Sequence, residues 1–246
     1  MISFEGRSLV VVGGGSGIGW AAAELAVGLG ARVTVGDMDE AAADLVAGLG
    51  ERAQFVACDA TDPDQVERLL DRAAEAQGGI DGLLTTVGGA RLGPLAETDI
   101  DAWNAELTFN LTSAYVVCRA VLPYMARRGG GAIVTTSSGY AIMAGPDRAA
   151  YTAAKAGVIA FTRTLAAAAA PQRIRANCIA PGPTETPRFR AMNGGDAGVE
   201  RVRQVMPLGV IPKPVDVANV AIFLLSDAAS QVNGQVIHVN GGLLMP

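Results

Sequence analysis

Tyr151 and Lys155 stand four residues apart in a stretch with helical patterning, so both side chains leave one face of a helix. A phenol titrates near 10 and is a poor base at neutral pH. An ammonium beside it favours the phenolate and turns the pair into a proton-transfer device. A second constellation lies near the start of the chain, in Gly13-Gly14-Gly15-Ser16-Gly17-Ile18-Gly19. Its G-x3-G-x-G register, Gly13, Gly17 and Gly19, permits a tight turn and lets the backbone approach a pyrophosphate at a helix N-terminus. Asp37 follows Gly13 by 24 residues, at the end of the next β-branched run. A carboxylate there can accept from both hydroxyls of a ribose and repels a 2′-phosphate. No Arg or Lys lies in the glycine loop. The competing reading, that Asp37 caps the following helix, suits Asp39 better.

These residues need a frame, and the chain alternates strands with helices. Residues 9–12 read as a strand buried on both faces, and 18–29 as a helix. Strands follow at 32–36, 54–57, 83–87, 132–136, 174–179 and 236–239, with helices at 39–49, 62–77, 100–126, 149–170 and 215–225. The helix after Asp62 has the clearest start: Asp62 as cap, Pro63 at its first position, Gln65 completing a capping box, and Gly78-Gly79 ending it. Regular alternation implies right-handed βαβ units and a parallel sheet covered on both faces. Residues 184–206 read as irregular, a segment suited to a lid. No linker, repeat or composition break appears, so one domain spans 1–246.

Composition excludes several classes. Half of the 246 residues are hydrophobic and 17% are charged, which is incompatible with intrinsic disorder. Net charge is −5 with no basic stripe, which speaks against a nucleic-acid partner. Cys58, Cys118 and Cys178 are isolated and set in apolar runs, so they read as buried free thiols, with no metal spacing. The first residues lack a basic region followed by an apolar core, and no apolar run is long enough to span a bilayer. A cytoplasmic protein with no membrane partner is expected. His238, the sole histidine, lies in the last strand without a visible nucleophile or ligand partner and reads as structural.

Taken in order, these motifs resemble the short-chain dehydrogenase/reductase family in its single-domain form, over essentially the whole chain. Val12-Gly13 through Gly19 is similar to that family's T-G-x3-G-x-G, and Asp59-Ala60-Thr61-Asp62 to its D-x-[TS]-[DN]. Asn110 matches the Asn of its long fourth helix, and Ser138, thirteen before Tyr151, matches its catalytic Ser. Tyr151 and Lys155 match Y-x3-K, Pro181-Gly182-Pro183-Thr184-Glu185-Thr186 matches P-G-x3-T, and Asn240-Gly241-Gly242 its ending. Val12 replaces the usual Thr, and Thr85-Thr86-Val87-Gly88 the usual N-N-A-G, which puts the network tying the central strands in question.

The resemblance implies a Rossmann-type doubly wound parallel sheet of about seven strands, and NAD as cofactor. Tyr151 would exchange the proton of an alcohol or ketone, Ser138 would bond the reacting oxygen, Lys155 would lower the tyrosine pKa, and Asn110 would hold a relay water. Gly13, Ser16, Gly17, Ile18, Gly19, Asp37, Asp59, Gly88, Tyr151, Lys155, Pro181, Gly182, Thr184 and Thr186 would hold the dinucleotide. The pocket would draw on Gly89, Ala90, Leu92, Tyr140, Ile142, Met143, Phe189 and Met192, a lining suited to a small or medium, largely apolar secondary alcohol or its ketone. Arg91, Arg148 or Arg188 could instead meet a substrate carboxylate, and Arg127, Arg128 and Arg173 an acidic carrier protein. The second reading is a 3-oxoacyl-carrier-protein reductase using NADPH. A third is a non-catalytic dinucleotide-binding regulator, although a silent binder has no need of all four of Asn110, Ser138, Tyr151 and Lys155. The family's assembly through helices 100–126 and 149–170 and strand 236–239 leads to the expectation of a homotetramer.

Overall fold

The computed structural model describes residues 2–143 and 145–246; Met1, where the leader reading begins, lies outside them. Among the described residues, strands β1 (Ser8–Val12), β2 (Arg32–Asp37), β3 (Ala53–Ala57), β4 (Gly82–Thr85), β5 (Gly131–Thr136), β6 (Ile174–Pro181) and β7 (Val236–Val239) form one sheet. Its order is β3-β2-β1-β4-β5-β6-β7, and every pairing is parallel. β1 shows why its sequence is an unbroken apolar run. Leu9 and Val11 face one core with helices α1 (Gly17–Gly28) and α9 (Pro214–Leu225). Val10 and Val12 face the other, with α3 (Pro63–Gln77), α5 (Ser113–Arg127) and α6 (Ala149–Ala169). The remaining helices are α2 (Ala42–Ala47), α4 (Ile100–Leu107), α7 (Pro187–Met192) and α8 (Asp196–Val205). The chain leaves β1 toward one edge and β4 toward the other. A crevice therefore opens between their carboxyl ends, the place where such sheets bind ligands.

Local chemistry explains the helix ends. The Asp62 carboxylate accepts from the amides of Asp64 and Gln65, Pro63 opens α3, and Gly78 closes it at φ 77°. The expected capping box differs in its second half. Gln65 accepts from the Asp59 amide and donates to the Asp62 carboxylate, so it braces the preceding loop as well as the cap. Two further expectations are corrected. The single helix over 100–126 is α4, a π turn at Thr108–Thr112, and α5. The 184–206 segment is not irregular. It holds α7, capped by Thr186 with Pro187 in its first turn, and α8, separated by Gly194 and Gly195 at φ 74° and 79°. A six-residue helix and a mostly polar one give too little apolar periodicity to be read from spacing.

Cys58, Cys118 and Cys178 are free and buried, and burial pushes all three thiols up. Among the described residues no helix is long and apolar enough to cross a membrane, and no His, Cys, Asp or Glu cluster has the arrangement of a metal site.

Candidate active site

The glycine loop leaves β1 under tight geometric control. Gly13 and Gly17 have φ of 79° and 55°, and the Gly13 amide donates to the Gly36 carbonyl at 2.8 Å. Gly19 is a different case: a Cβ there would fall 2.3 Å from the Gly13 carbonyl oxygen, so α1 can start this close to the loop only without a side chain. No side chain caps α1 and no acidic residue lies in its first turn. Its leading amides thus have no side-chain acceptor, a cradle that fits an anionic pyrophosphate. Asp37 closes the loop from β2, its carboxylate accepting from the Gly15 amide at 2.8 Å and the Asp39 amide at 3.1 Å. Asp39 bonds the Ala41 amide in the turn before α2, and no side chain caps that helix, so neither Asp37 nor Asp39 is its cap. Asp59 is half-buried at the end of β3, with one oxygen bonded by both the amide and hydroxyl of Thr61.

The network across β1 and β4 is resolved by Thr86 rather than Thr85. Thr86 donates its hydroxyl to the Gly13 carbonyl at 2.8 Å, with the Val12 carbonyl at 3.3 Å. The Thr86 hydroxyl thereby ties the end of β1 to the segment that follows β4.

Beyond β4, β5 and β6 a cavity of about 360 Å³ opens. It brings together Ile18, Gly88, Ser138, Tyr151, Lys155, Pro181, Gly182, Thr184 and Thr186 with Gly89, Ala90, Leu92, Tyr140, Met143, Phe189 and Met192. Gly13, Ser16, Gly17, Gly19, Asp37 and Asp59 lie outside it, along the glycine loop and the ends of β2 and β3. Ile142, expected in the pocket, does not line it and is exposed. The cavity also takes in Leu243 and Leu244. Asn240 puts them there: its side chain accepts from the Gly242 amide and donates to the Leu244 carbonyl, folding the chain end back over the site.

Tyr151 is half-buried in the cavity wall, and loss of solvent pushes its phenol up; the Ser138 hydroxyl beside it and the Arg148 and Arg188 guanidiniums pull the other way. Lys155 is not among the groups with a leading influence on the phenol in this geometry. The Lys155 ammonium lies 5.9 Å from the Tyr151 ring centre and donates to the Thr136 carbonyl at 3.0 Å and the Val87 carbonyl at 3.4 Å. Its own burial pushes it down to about 8, so it is a weakened cation.

Asn110 is fully buried in the π turn, behind the cavity wall. Its Oδ1 accepts from the Gly89 amide at 2.9 Å, and its Nδ2 meets the Gly89 carbonyl, the Glu106 carbonyl and the Glu106 carboxylate, each at 3.1 Å. The amide side chain is therefore committed to clamping the loop after β4. A Cβ on Gly88 would meet Lys155 Nζ at 2.5 Å and Asn110 Oδ1 at 2.6 Å, which shows how closely the three converge.

Glu106 was not apparent from sequence, because a charged residue in a helix reads as solvent-facing. It is 6% exposed, accepts from the Arg91 amide at 3.0 Å, and burial pushes its carboxyl up. Its position four before Asn110, on the same helical face, was the available signal. His238 lies outside the cavity, paired in β7 opposite Ala180, with a buried, unpartnered Nδ1.

Comparisons with known proteins agree with this geometry. A family model described as enoyl-(acyl carrier protein) reductase matches residues 13–244. A cis-4-hydroxycyclohexanecarboxylate dehydrogenase of Sinomonas cyclohexanicum is 39% identical, over 98% of this chain and 97% of the relative. A 3-oxoacyl-[acyl-carrier-protein] reductase of Thermotoga maritima is 35% identical over 98% of this chain and 99% of its own. A solved short-chain type dehydrogenase/reductase from Mycobacterium ulcerans superposes with a TM-score of 0.92 at 32% identity, covering 98% of this chain and 91% of that one.

Proposed function

Because this chain belongs to the short-chain dehydrogenase/reductase family and is an oxidoreductase of that kind, we propose that it interconverts a small or medium, largely apolar secondary alcohol and its ketone with NAD(H). The observation that carries the reading is the half-buried Tyr151 phenol, placed with Ser138 in a cavity that Leu92, Met143, Phe189 and Leu244 also line. Bound at the crevice, the nicotinamide supplies the hydride acceptor or donor. Gly13 and Ser16–Gly19 would hold the pyrophosphate, Asp37 the adenosine ribose, Asp59 the adenine, and Gly88, Pro181, Gly182, Thr184 and Thr186 the nicotinamide half, with Tyr151 and Lys155 at its ribose.

Tyr151 takes the alcohol proton in oxidation and returns it in reduction. Ser138 donates to the reacting oxygen as charge develops there. Lys155 steadies the phenolate once Tyr151 ionises, and Asn110 acts by fixing Gly88 and Gly89 against Lys155. Since the phenol is raised by burial, oxidation is expected to climb with pH through the alkaline range and reduction to be favoured below it. Asp37 supports NAD over NADP, its carboxylate standing at the loop where a 2′-phosphate would lie.

The acyl-carrier reading draws support from the Thermotoga maritima relative's name. It is weakened by geometry: Arg127, Arg128 and Arg173 precede β5 and β6, at the strand ends opposite the cavity, and Arg128 is bonded to Asp81. One domain over residues 1–246 and assembly as a homotetramer complete the proposal. Partly exposed Tyr115, stacked edge-on against Phe161, lies on the helix pair that would meet its copy.

The test compares NADH with NADPH, and a cyclic apolar alcohol with a sugar alcohol, a hydroxy acid and a 3-oxoacyl thioester. NADH should be preferred, and Asp37→Ser should erode that preference. Equal kcat/KM for the two cofactors removes the NAD assignment. A preference above roughly tenfold for the sugar alcohol or thioester removes the substrate class.

A further inference from the structure

Arg148 and Arg188 line the cavity, and Arg91 and Arg190 belong to the same two segments, the loop after β4 and α7, that supply part of its lining. Arg148 is held by Asp147, with Nε at 2.8 Å and Nη2 at 3.1 Å, and its guanidinium stacks over the Tyr140 ring at 4.1 Å. Arg190 lies between Glu185 and Asp196. Arg91 is exposed and does not line the cavity. Arg188, two residues before Arg190 on the same short helix α7, differs from all of these. It lines the cavity, its charge reaches Tyr151, and among the described residues it forms no ion pair.

Among the described residues its one side-chain hydrogen bond runs from Nη2 to the Ala90 carbonyl at 3.0 Å, across 98 residues of sequence. The guanidinium lies flat against Gly89, where a Cβ would come within 2.3 Å of its central carbon. An arginine presents five N–H donors in a rigid planar fork matched to a carboxylate. The acids nearest the site are already engaged. Asp147 serves Arg148, and the two Glu106 oxygens accept from the Arg91 amide and Asn110. Arg188 is itself exposed, so water meets its open donors until a ligand does; lining the cavity, with only a longer-range attraction to Glu106, it is the cation that a carboxylate entering there would meet.

We propose that Arg188 is a carboxylate-binding residue and that the substrate is a hydroxy acid or oxo acid. This rests on reading the cavity as an alcohol and ketone site. Arg188 makes no hydrogen bond to Tyr151 or Ser138. The carboxylate therefore lies apart from the reacting carbon, at the far end of a ring or short chain that packs on Leu92, Met143, Phe189 and Leu244. Lid and substrate then share one contact: the arginine that ties α7 to the loop after β4 releases a carbonyl and takes up the acid.

The test uses matched pairs with the full chain and saturating NAD: 5-hydroxyhexanoate against its methyl ester, and 3-hydroxycyclohexanecarboxylate against its methyl ester. In the unaltered protein the acid of at least one pair should exceed its ester about tenfold or more in kcat/KM. Arg188→Gln should bring that acid-to-ester ratio to within about threefold of one, and Arg188→Lys should fall between. Acid-to-ester ratios near or below one in both pairs, or a ratio that survives Arg188→Gln, overturn the proposal. If neither acid nor ester is turned over, the alcohol reading has failed, and calorimetry judges the anion site by itself. Cyclohexanecarboxylate binding about tenfold tighter than cyclohexanecarboxamide, with the difference lost in Arg188→Gln, upholds the site. Equal binding, or a difference that survives the substitution, removes it.

Discussion

The two halves of the crevice are made of different materials. On the β1–β2 side the site is main chain: glycine turns, uncapped helix amides and one carboxylate tied to the loop it closes. On the β4–β6 side it is side chains held by other side chains and carbonyls. Asn110, Ser138 and Lys155 are each buried; Asn110 and Lys155 are bonded to segments distant in sequence, and Ser138 accepts from the Tyr140 amide of the turn it caps. Backbone amides cannot be substituted away, but a single added Cβ can displace them. Side chains can be exchanged one atom at a time, and their protonation depends on burial. The first half is therefore suited to gripping any dinucleotide in one pose, and the second to being tuned.

The sharpest break of this contrast is Tyr151→Phe. It removes only the proton-carrying oxygen, so kcat should fall about 10²–10⁴-fold while NADH affinity, followed by fluorescence titration, stays within about twofold. A variant keeping half its activity would place the base elsewhere.

Lys155→Met probes the electrostatics of the same half. The folded pKa of about 8 lies below the unfolded 10.5, so the folded state resists carrying this proton. That cost is present below pH 8 and is relieved as pH rises from 8 toward 10.5. The unaltered protein should gain on Lys155→Met by up to about 3 kcal/mol across that window in denaturant titrations. Parallel pH dependence of the two proteins would show that the ammonium is not desolvated.

Gly19→Ala strikes the other half, where the new Cβ meets the Gly13 carbonyl first, then the Thr86 hydroxyl and the Gly14 backbone. NADH binding should weaken about tenfold or more, with about 1–3 kcal/mol lost in stability. The pH profile of kcat at saturating cofactor should stay in place; a shift would mean that the two halves are not separable.

The smallest effect is expected of Glu106→Gln. It keeps the volume but turns one of two acceptor oxygens into a donor facing either the Arg91 amide or Asn110. A kcat decrease of about three- to tenfold, with unchanged NADH affinity and about 1 kcal/mol lost in stability, would locate its action in the chemical half. Unchanged kcat would make it a packing residue.

The difference in materials also governs what could be read from sequence. Strands buried on both faces announce themselves as apolar runs, and a glycine loop by its spacing, so β1, β2 and the cradle were legible, together with the Tyr151–Lys155 face. Glu106 was not, because nothing in a linear pattern marks a charged residue as buried. Leu243 and Leu244 were missed because their place depends on the Asn240 turn rather than on periodicity. The lid looked structureless because α7 has six residues and α8 a largely polar surface. The repair of the β1–β4 tie by Thr86 required knowing which of two adjacent threonines turns toward Gly13.

The π turn at Thr108–Thr112 does to α4 and α5 what an offset throw does to a crankshaft. One extra residue is wound into a single turn, and each residue of a helix is worth about 100° of rotation. In the sequence, Glu106, Asn110, Val117, Val121 and Met125 keep an ordinary helical beat. In space the shaft is turned between its two lengths. Glu106 and Asn110 bear on the loop after β4, while Val117, Val121 and Met125 bear on α3 and the sheet. Taking one residue out of that turn would straighten the shaft, and it could then no longer run true in both bearings at once.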